Sequence, residues 1–242
     1  MSAPHAERGE SRPVEVSKVP GRVGALGRPD EEATRVVIVR HGDSACSVAG
    51  VIGGTRGCSG LSPLGMEQAE RLRYRLVATG ELSGAGALYS SDLPRAFETA
   101  GIIAPGIGFG NLECVRDPGL RELEPGEADG LTWEEYERRY PAPDFDEHPG
   151  RPVAPGGESW SDFVERASGA LRSLAGRHPG ELVVAVCHAG VVEAAMLRFL
   201  PVSAERHRLK LPTANTSLTE WQLGSSGWRL VRYNDAAHLV GP

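Results

Sequence analysis

The first residues with the types and spacing for chemistry are Arg40, His41 and Gly42, which directly follow an apolar run at 36–39. This unbroken Val-Val-Ile-Val run is typical of a strand buried on both faces in a parallel sheet. In open α/β sheets, ligands bind beyond the carboxyl ends of the strands. Arginine can bind an oxyanion through two N–H groups, and histidine can act as nucleophile or proton donor. Glycine lets the backbone approach a ligand closely. We therefore predict an anion site at the end of this strand.

A second histidine is placed in the same way near the other end of the chain. The apolar run at 182–187 predicts another buried strand. His188, Ala189 and Gly190 follow it, before a helix predicted over 191–200. Two histidines at the ends of separate buried strands indicate a shared site rather than packing.

Arg95 is a third candidate, because the sequence places it in the first turn of a helix. A short strand is predicted over 87–90, Asp92 can cap the helix that follows, and Pro94 suits its first turn. Free backbone N–H groups and the helix dipole favour an anion there. The alternative is a surface ion pair between Arg95 and a local carboxylate such as Glu98.

A run of carboxylates after residue 120 offers a proton donor. Glu122, Glu124 and Glu127 are all candidates for a general acid, although most acids in such a run must simply be solvated. The run ends in a capping box, Thr132 with Glu135 three residues later, which predicts a helix start.

The remaining patterns alternate between helix and strand, so we expect an α/β protein with one domain over 34–242 after a disordered tail over 1–33. The other predicted elements are a Gly-rich loop at 44–60, a helix from Pro63 to about Thr79 stopped by Gly80, a strand at 112–115, a loop at 141–155, a helix from Ser159 to about Leu174, and a β-hairpin at 217–223 and 228–233. Either loop would shape a pocket beside the anion site.

Composition excludes several classes of function. A net charge of −6 argues against a protein that binds nucleic acid mainly through charge. No apolar run approaches the length of a membrane span, and the N-terminus lacks an apolar signal core. The cysteines lack C-x-x-C spacing, which favours reduced thiols in a cytoplasmic protein; they are Cys46, Cys58, Cys114 and Cys187.

Taken together, the motifs resemble the histidine phosphatase superfamily, which includes phosphoglycerate mutases. The resemblance covers residues 34–240 and rests on five blocks that match in order: V-R-H-G at 39–42, L-S-P-L-G-M-E-Q-A at 61–69, S-S-D-L-P-R-A-F-E-T-A at 90–100, L-R-E at 120–122 followed by Gly126 and Gly130, and V-C-H-A-G at 186–190. Weaker support comes from G-G-E-S at 156–159 and N-D-A-A-H-L at 234–239. It implies a phosphoglycerate mutase-like, three-layer α/β/α sandwich with a mostly parallel central sheet.

The resemblance also implies roles for the candidate residues. His41 would attack phosphorus and carry the phosphoryl group, while Arg40, Arg95 and His188 would surround the phosphate oxygens. Glu122, which matches the L-R-E block, would protonate the leaving oxygen and later help to activate water.

The resemblance implies metal-independent hydrolysis of a small-molecule phosphomonoester, with no cofactor. For the oligomeric state, it suggests a homodimer. Ser44 matches a usual Ser or Thr that can donate a hydrogen bond to phosphate, and Ala189 lies beside His188 where Gly is common. Because phosphoryl transfer needs mainly positioning and positive charge, two guanidinium groups can serve without a metal ion. A zinc site is disfavoured, because no H-x-H or H-x-x-x-H spacing occurs near His41 or His188.

The chain also departs from the family pattern. Asp43 stands where Glu is usual, the region 44–47 lacks a phosphate-contacting Asn, and Ala128-Asp129 replaces an aromatic-acidic pair. Two alternatives therefore stay open. One is mutase-type transfer, disfavoured because 128–155 does not resemble the mutase insertion, and the other is a noncatalytic phosphate-binding protein.

Overall fold

The structure is a computed structural model that describes residues 32–108, 113–200 and 211–240 of the 242-residue chain. A six-stranded sheet forms its centre. The strands are β1 Thr34–Arg40, β2 Ala87–Ser90, β3 Val115–Arg116, β4 Leu182–Cys187, β5 Leu218–Gly224 and β6 Gly227–Asp235. The α-helices are α1 Ala45–Val48, α2 Pro63–Thr79, α3 Pro94–Ile103, α4 Trp133–Arg139, α5 Trp160–Arg177 and α6 Ala189–Phe199.

The two strands that carry the histidines lie side by side in the middle of the sheet. The strand order is β3-β2-β4-β1-β5-β6. β1 pairs with β4 in parallel, with Arg40 opposite Cys187, so His41 and His188 leave the sheet at the same level of one edge. β2 and β3 extend the parallel part, whereas β5 is antiparallel to β1. The predicted mostly parallel sheet is confirmed.

Both faces of the sheet are covered, which explains the β-branched run in β1. Val36 and Ile38 pack on one face against α5 and α6, and Val37 and Val39 pack on the other against α2 and α3. All four side chains are fully buried. Because successive side chains of a strand point to opposite faces, a strand between two helical layers must be apolar at every position. The three-layer α/β/α sandwich is therefore confirmed.

Several helix boundaries follow the predicted signals. Ser62 caps α2 by accepting a hydrogen bond from the Gly65 N–H at 3.0 Å, and Gly80 ends it with a left-handed φ of 63°. The reciprocal capping box of Thr132 and Glu135 begins α4. These ends satisfy backbone groups that a helix leaves unpaired.

Other local predictions were wrong. Asp92 does not cap α3, whose N-cap is Leu93 with no side-chain bond; the Asp92 carboxylate instead pairs with Arg121 at 2.6 Å. The Gly-rich loop contains the short helix α1, and α6 begins at Ala189 rather than at 191.

Two predictions fall partly outside the described residues. The predicted disordered tail covers 1–33; residues 1–31 lie outside the described part of the chain, whereas Ala33 is buried. The third strand is predicted over 112–115, of which 112 lies outside the described residues, and the strand in the structure covers Val115–Arg116. Among the described helices, none combines the length and apolarity that crossing a membrane requires.

Candidate active site

The predicted site residues meet at the carboxyl edge of the parallel strands. Arg40, His41, Arg95 and Glu122 line one cavity of about 680 Å³. His188 lies directly beside His41, with the two ring centroids 5.0 Å apart in an edge-to-face arrangement. The fold thus brings together five residues that come from four separate blocks of the sequence.

His41 is held as one neutral tautomer. Its Nδ1 lies 2.6 Å from the carbonyl oxygen of Gly42, which can only accept, so Nδ1 carries the proton. The Nε–H of Arg95 donates to Nε2 of His41 at 3.0 Å, which uses the lone pair of that nitrogen. The backbone N–H of His41 donates to Cys187 at 2.9 Å and ties the residue to β4. His41 therefore presents Nε2 as the unprotonated nitrogen, with its lone pair bound by the guanidinium of Arg95.

Burial and positive neighbours keep both histidines uncharged. The pKa of His41 is held well below its usual value by burial, then by Arg95 and Arg40, against the opposing hydrogen bond to Gly42. The pKa of His188 is lowered in the same direction by burial, by Arg95 and by His41 itself. A nucleophilic imidazole must be unprotonated, and this environment meets that condition at neutral pH.

The buried neutral histidines predict a pH-dependent stability. Below an ordinary histidine pKa of about 6.5, the unfolded chain binds protons that the folded chain does not, so stability must fall as pH falls. His41 and His188 each contribute a slope of at most about 1.4 kcal/mol per pH unit. Denaturant unfolding between pH 7 and 5, without phosphate, should show this slope, and His188→Asn should reduce it. An unchanged slope in the variant would contradict a neutral buried His188.

Arg95 makes two side-chain hydrogen bonds in the site. Besides His41 it donates from Nη1 to the Gly53 carbonyl at 2.7 Å, and its side chain is almost fully buried. The alternative, an ion pair between Arg95 and Glu98, does not form. Glu98 instead accepts a hydrogen bond from the Leu61 N–H at 2.7 Å. The position of Arg95 in the first turn of α3 is confirmed.

Two buried polar atoms beside His41 have no hydrogen-bond partner among the described residues. They are Nε of Arg40 and Nδ1 of His188. Arg40 uses Nη1 to bind the Thr213 carbonyl, and His188 uses Nε2 to bind the Ser91 hydroxyl at 2.9 Å. Since buried polar groups are nearly always paired in native proteins, an anion that reached these two nitrogens would satisfy them, with His188 in the tautomer that is protonated at Nδ1.

The surroundings single out Glu122 among the three candidate acids. Its Oε2 accepts from the Gly190 N–H and its Oε1 from the Leu123 N–H, both at 3.1 Å, and its carboxyl group lines the cavity. Glu124 pairs with Arg121 at 2.9 Å, and Glu127 lies 3.4 Å from the Tyr140 hydroxyl. Neither of these two lines the cavity with His41.

Gly190 controls where the carboxyl group of Glu122 lies. A Cβ atom at this position would be 2.2 Å from Oε1 of Glu122 and 2.9 Å from the Phe163 ring. We expect Gly190→Ala to lower kcat at least about tenfold by displacing the acid, with an overpacking cost of about 1–3 kcal/mol. Gly169→Ala in α5 is the matched control, because nothing lies within 4 Å of its added Cβ. Steady-state kinetics and thermal unfolding check both, and a fully active Gly190→Ala would contradict this placement.

The remaining predicted contacts, Ser44 and Ala189, also line the cavity. Ser44 caps α1, where its Oγ accepts from the Ser47 N–H at 3.4 Å and contacts the Ser47 hydroxyl at 2.8 Å. Ala189 is the first residue of α6, and both Ser44 and Ala189 line the cavity. Asp43, which stands where the longer Glu is usual, accepts a hydrogen bond from the Ser62 hydroxyl at 2.6 Å. This bond joins the end of β1 to the start of α2.

Comparison with known proteins decides the family. The family model described as "Histidine phosphatase superfamily (branch 1)" matches residues 36–236. The chain belongs to the histidine phosphatase superfamily. It is accordingly a phosphatase, a phosphoric monoester hydrolase, and the resemblance inferred from the motifs is confirmed.

Individual relatives agree with this membership. The chain is similar to an Arabidopsis thaliana protein named metal-independent phosphoserine phosphatase, with 33% identity over 213 residues covering 87% of this chain and 85% of the relative. The solved structure of Bacillus stearothermophilus YhfR is 30% identical with a TM-score of 0.74, covering 86% of this chain and all of that one. A phosphoglycerate mutase from Bacillus anthracis, 20% identical with a TM-score of 0.67 over 86% of this chain and 96% of that one, shows the fold alone.

Sequence reasoning missed several residues that position the site of this histidine phosphatase. Asn215 donates from Nδ2 to the His41 carbonyl at 3.0 Å, and Thr99 accepts from the Gly42 N–H at 3.1 Å. Ser91, which binds His188, directly follows β2 at the same sheet edge, so its position was a usable signal. No sequence signal marked Asn215, which lies 174 residues from His41.

Two of the cysteines form part of the same environment. All four cysteines are free thiols, and Cys46 lines the cavity 3.2 Å from the Ser44 hydroxyl. Interaction with Cys46, assisted by Arg95, lowers the pKa of Cys58 against the effect of burial. The same interaction, with burial, raises the pKa of Cys46. Among the described residues, no group of three or more metal-ligating side chains is assembled.

Proposed function

We propose that the chain hydrolyses a small-molecule phosphomonoester without a metal ion, through a phosphohistidine on Nε2 of His41. One observation carries the proposal. Nδ1 of His41 is fixed to the Gly42 carbonyl and Nε2 faces Arg95, so a neutral nucleophile and a phosphate-binding cation are in contact. That pairing supplies the attacking lone pair and the charge stabilisation that phosphoryl transfer requires.

Substrate binding exchanges hydrogen bonds at this contact. A phosphate oxygen competes with Nε2 for the Nε–H of Arg95, and a charge-assisted bond to phosphate is the stronger of the two. Arg40 and His188 offer their unpaired buried nitrogens to the other oxygens. Release of Arg95 from Nε2 frees the lone pair at the moment the phosphorus is positioned. Ser44 and the first turn of α6, beginning at Ala189, supply further donors at the rim.

The chemistry proceeds in two displacements. In the first, the Nε2 lone pair forms a bond to phosphorus, the phosphorus–oxygen bond breaks, and Glu122 gives its proton to the leaving oxygen. In the second, water attacks phosphorus and gives a proton to the Glu122 carboxylate, and the bond from phosphorus to Nε2 breaks. Inorganic phosphate leaves, and His41 and Glu122 return to their starting states.

The acid role of Glu122 predicts a dependence on the leaving group. We expect Glu122→Gln to lower kcat/KM on an alkyl phosphate by about 10²-fold, the lower end of what general acids contribute. An ester of 4-nitrophenol needs no protonation to leave, so it should lose much less. Glu124→Gln, which removes the neighbour paired with Arg121, is the control. Equal losses on both esters would contradict the assignment.

The proposed function itself is tested by phosphate release from a panel of phosphomonoesters in the presence of a chelator. We expect turnover that survives the chelator and disappears in His41→Ala. Transfer of the phosphoryl group to a second substrate hydroxyl in place of phosphate release would support mutase chemistry instead. A folded protein that binds phosphate but turns over no ester would support the noncatalytic alternative.

A further inference from the structure

The backbone around Glu122 is bound by one arginine of α5. Nη1 of Arg166 donates to the Gly119 carbonyl at 3.0 Å and to the Arg121 carbonyl at 3.1 Å. Nη2 of the same guanidinium donates to the Glu122 carbonyl at 3.3 Å. We call the segment 119–127 the acid loop. Three of its carbonyl oxygens are therefore tied to a single side chain of α5.

Glu158 holds the guanidinium of Arg166 in this orientation. Nε of Arg166 donates to Oε1 of Glu158 at 2.7 Å, and Nη2 donates to Oε2 at 2.6 Å. Two parallel bonds of this kind fix the plane of a guanidinium group. Together with the carbonyl bonds, they give a partner to each of the five N–H groups that an arginine offers. The pair is also mostly buried, with Arg166 25% and Glu158 17% exposed.

Glu158 also binds the acid loop itself. Its Oε2 accepts from the Glu124 N–H at 2.9 Å, and its own N–H donates to the Glu124 carbonyl at 2.9 Å. Gly126 has a φ of 58°, and a Cβ there would lie 2.2 Å from the backbone nitrogen of Gly157, so this close approach requires glycine. The G-G-E-S block at 156–159, to which the sequence assigned no chemistry, thus packs on the acid loop.

α5 is also close to the group that binds the carboxylate of Glu122. Phe163 lies one turn before Arg166, whose guanidinium carbon is 5.3 Å from the centroid of the Phe163 ring. A Cβ added to Gly190 would lie 2.9 Å from this ring, and the Gly190 N–H is the donor to Oε2 of Glu122. The backbone and the carboxylate of Glu122 are therefore both held beside α5.

Arg121 binds the acid loop in a different way. Its guanidinium pairs with the carboxylates of Asp92 and Glu124. Arg166, in contrast, bonds the backbone of Glu122 directly. The position of the Glu122 main chain therefore depends on Arg166 more closely than on Arg121.

We propose that Arg166, held by Glu158, is a positioning residue for the general acid and fixes the main chain from which the Glu122 carboxyl group reaches the leaving oxygen. This inference rests on the proposed function and adds two residues to it. Proton transfer requires the acid within hydrogen-bond reach of the leaving oxygen. A displacement of about 1 Å costs on the order of 10²-fold in rate. Arg166 acts without touching the substrate, so its effect appears only where the leaving oxygen needs a proton.

Two esters test the positioning role. Arg166→Lys keeps the charge but loses the planar set of donors. We expect it to lower kcat/KM on an alkyl phosphate at least about tenfold, and on 4-nitrophenyl phosphate no more than about threefold. The ratio of the two constants, measured on one preparation, does not depend on the fraction of protein that is folded. Arg75→Lys is the control, because Arg75 makes a bidentate pair with Asp235 and is 16% exposed. It should leave the ratio unchanged.

A double-mutant cycle with Glu122→Gln separates this inference from the proposed function. Once the acid is gone, adding Arg166→Lys should change the ratio by less than about twofold, because no acid is left to position. If Arg166→Lys lowers both esters alike, or changes the ratio equally with and without Glu122, the positioning role is overturned and the proposed function stands. If Glu122→Gln itself lowers both esters alike, the acid role fails and the positioning role fails with it.

Discussion

Replacement of His41 by alanine is expected to lower kcat by on the order of 10⁴-fold or more, the size of loss that follows removal of a nucleophile. In the proposed mechanism Nε2 of His41 forms the bond to phosphorus, since Nδ1 is held by the Gly42 carbonyl and only Nε2 is left to attack. Phosphate release in steady state, with a panel ester and a chelator, measures the loss.

The matched control for His41→Ala is His178→Ala. His178 also makes two side-chain hydrogen bonds, with the Tyr89 hydroxyl at 3.0 Å and with Glu181 at 3.0 Å, but it does not line the cavity. This variant should keep wild-type kcat. Circular dichroism and phosphate binding would establish that His41→Ala is folded. Residual activity within tenfold of wild type in a folded His41→Ala protein would rule out His41 as the nucleophile.

Arg95→Lys is expected to lower kcat by on the order of 10³-fold, comparable with the loss of an arginine that stabilises a transferring phosphoryl group. Lysine keeps the positive charge, but its single ammonium group cannot replace the two guanidinium nitrogens that bind Nε2 of His41 and the Gly53 carbonyl. We expect kcat to fall more than KM rises, because the lost contacts matter most when charge develops in the transition state.

The control for this variant is Arg73→Lys on α2, whose guanidinium pairs with Glu70 at the surface. Its kinetics should be unchanged. Inhibition by inorganic phosphate gives a second readout, and the inhibition constant of Arg95→Lys should rise. A variant that kept wild-type kcat would show that Arg95 only anchors the loop at Gly53.

Sequence patterns predicted the parts of the site that depend on local rules. Four consecutive β-branched residues in β1 required burial on two faces, and this fixed the central position of the strand. His41 and His188 then had to leave the same edge, because neighbouring parallel strands end together. The assignment of Arg95 to the first turn of a helix followed from Pro94 in the same way.

Parts that depend on distant contacts could not be predicted. Spacing alone did not separate Glu122 from Glu124 and Glu127, and only the family resemblance pointed to Glu122. In the structure the Gly190 N–H binds the Glu122 carboxylate, whereas Arg121 pairs with Glu124. Asp92 satisfies the rule for a helix cap, but an ion pair with Arg121 engages it instead. In both cases a contact between residues far apart in the sequence determines the outcome, and sequence spacing does not predict such contacts.

The proposed phosphohistidine on His41 is tested most directly by trapping the enzyme during turnover with an alkaline quench and mapping the phosphorylated residue by mass spectrometry. We expect one phosphoryl group, on Nε2 of His41, in a phosphoenzyme that is stable in alkali and labile in acid. Its amount should rise in Glu122→Gln with an ester of 4-nitrophenol, because the second displacement then lacks its base. Phosphorylation of another residue, or turnover with no phosphoenzyme at all, would rule out His41 as the nucleophile.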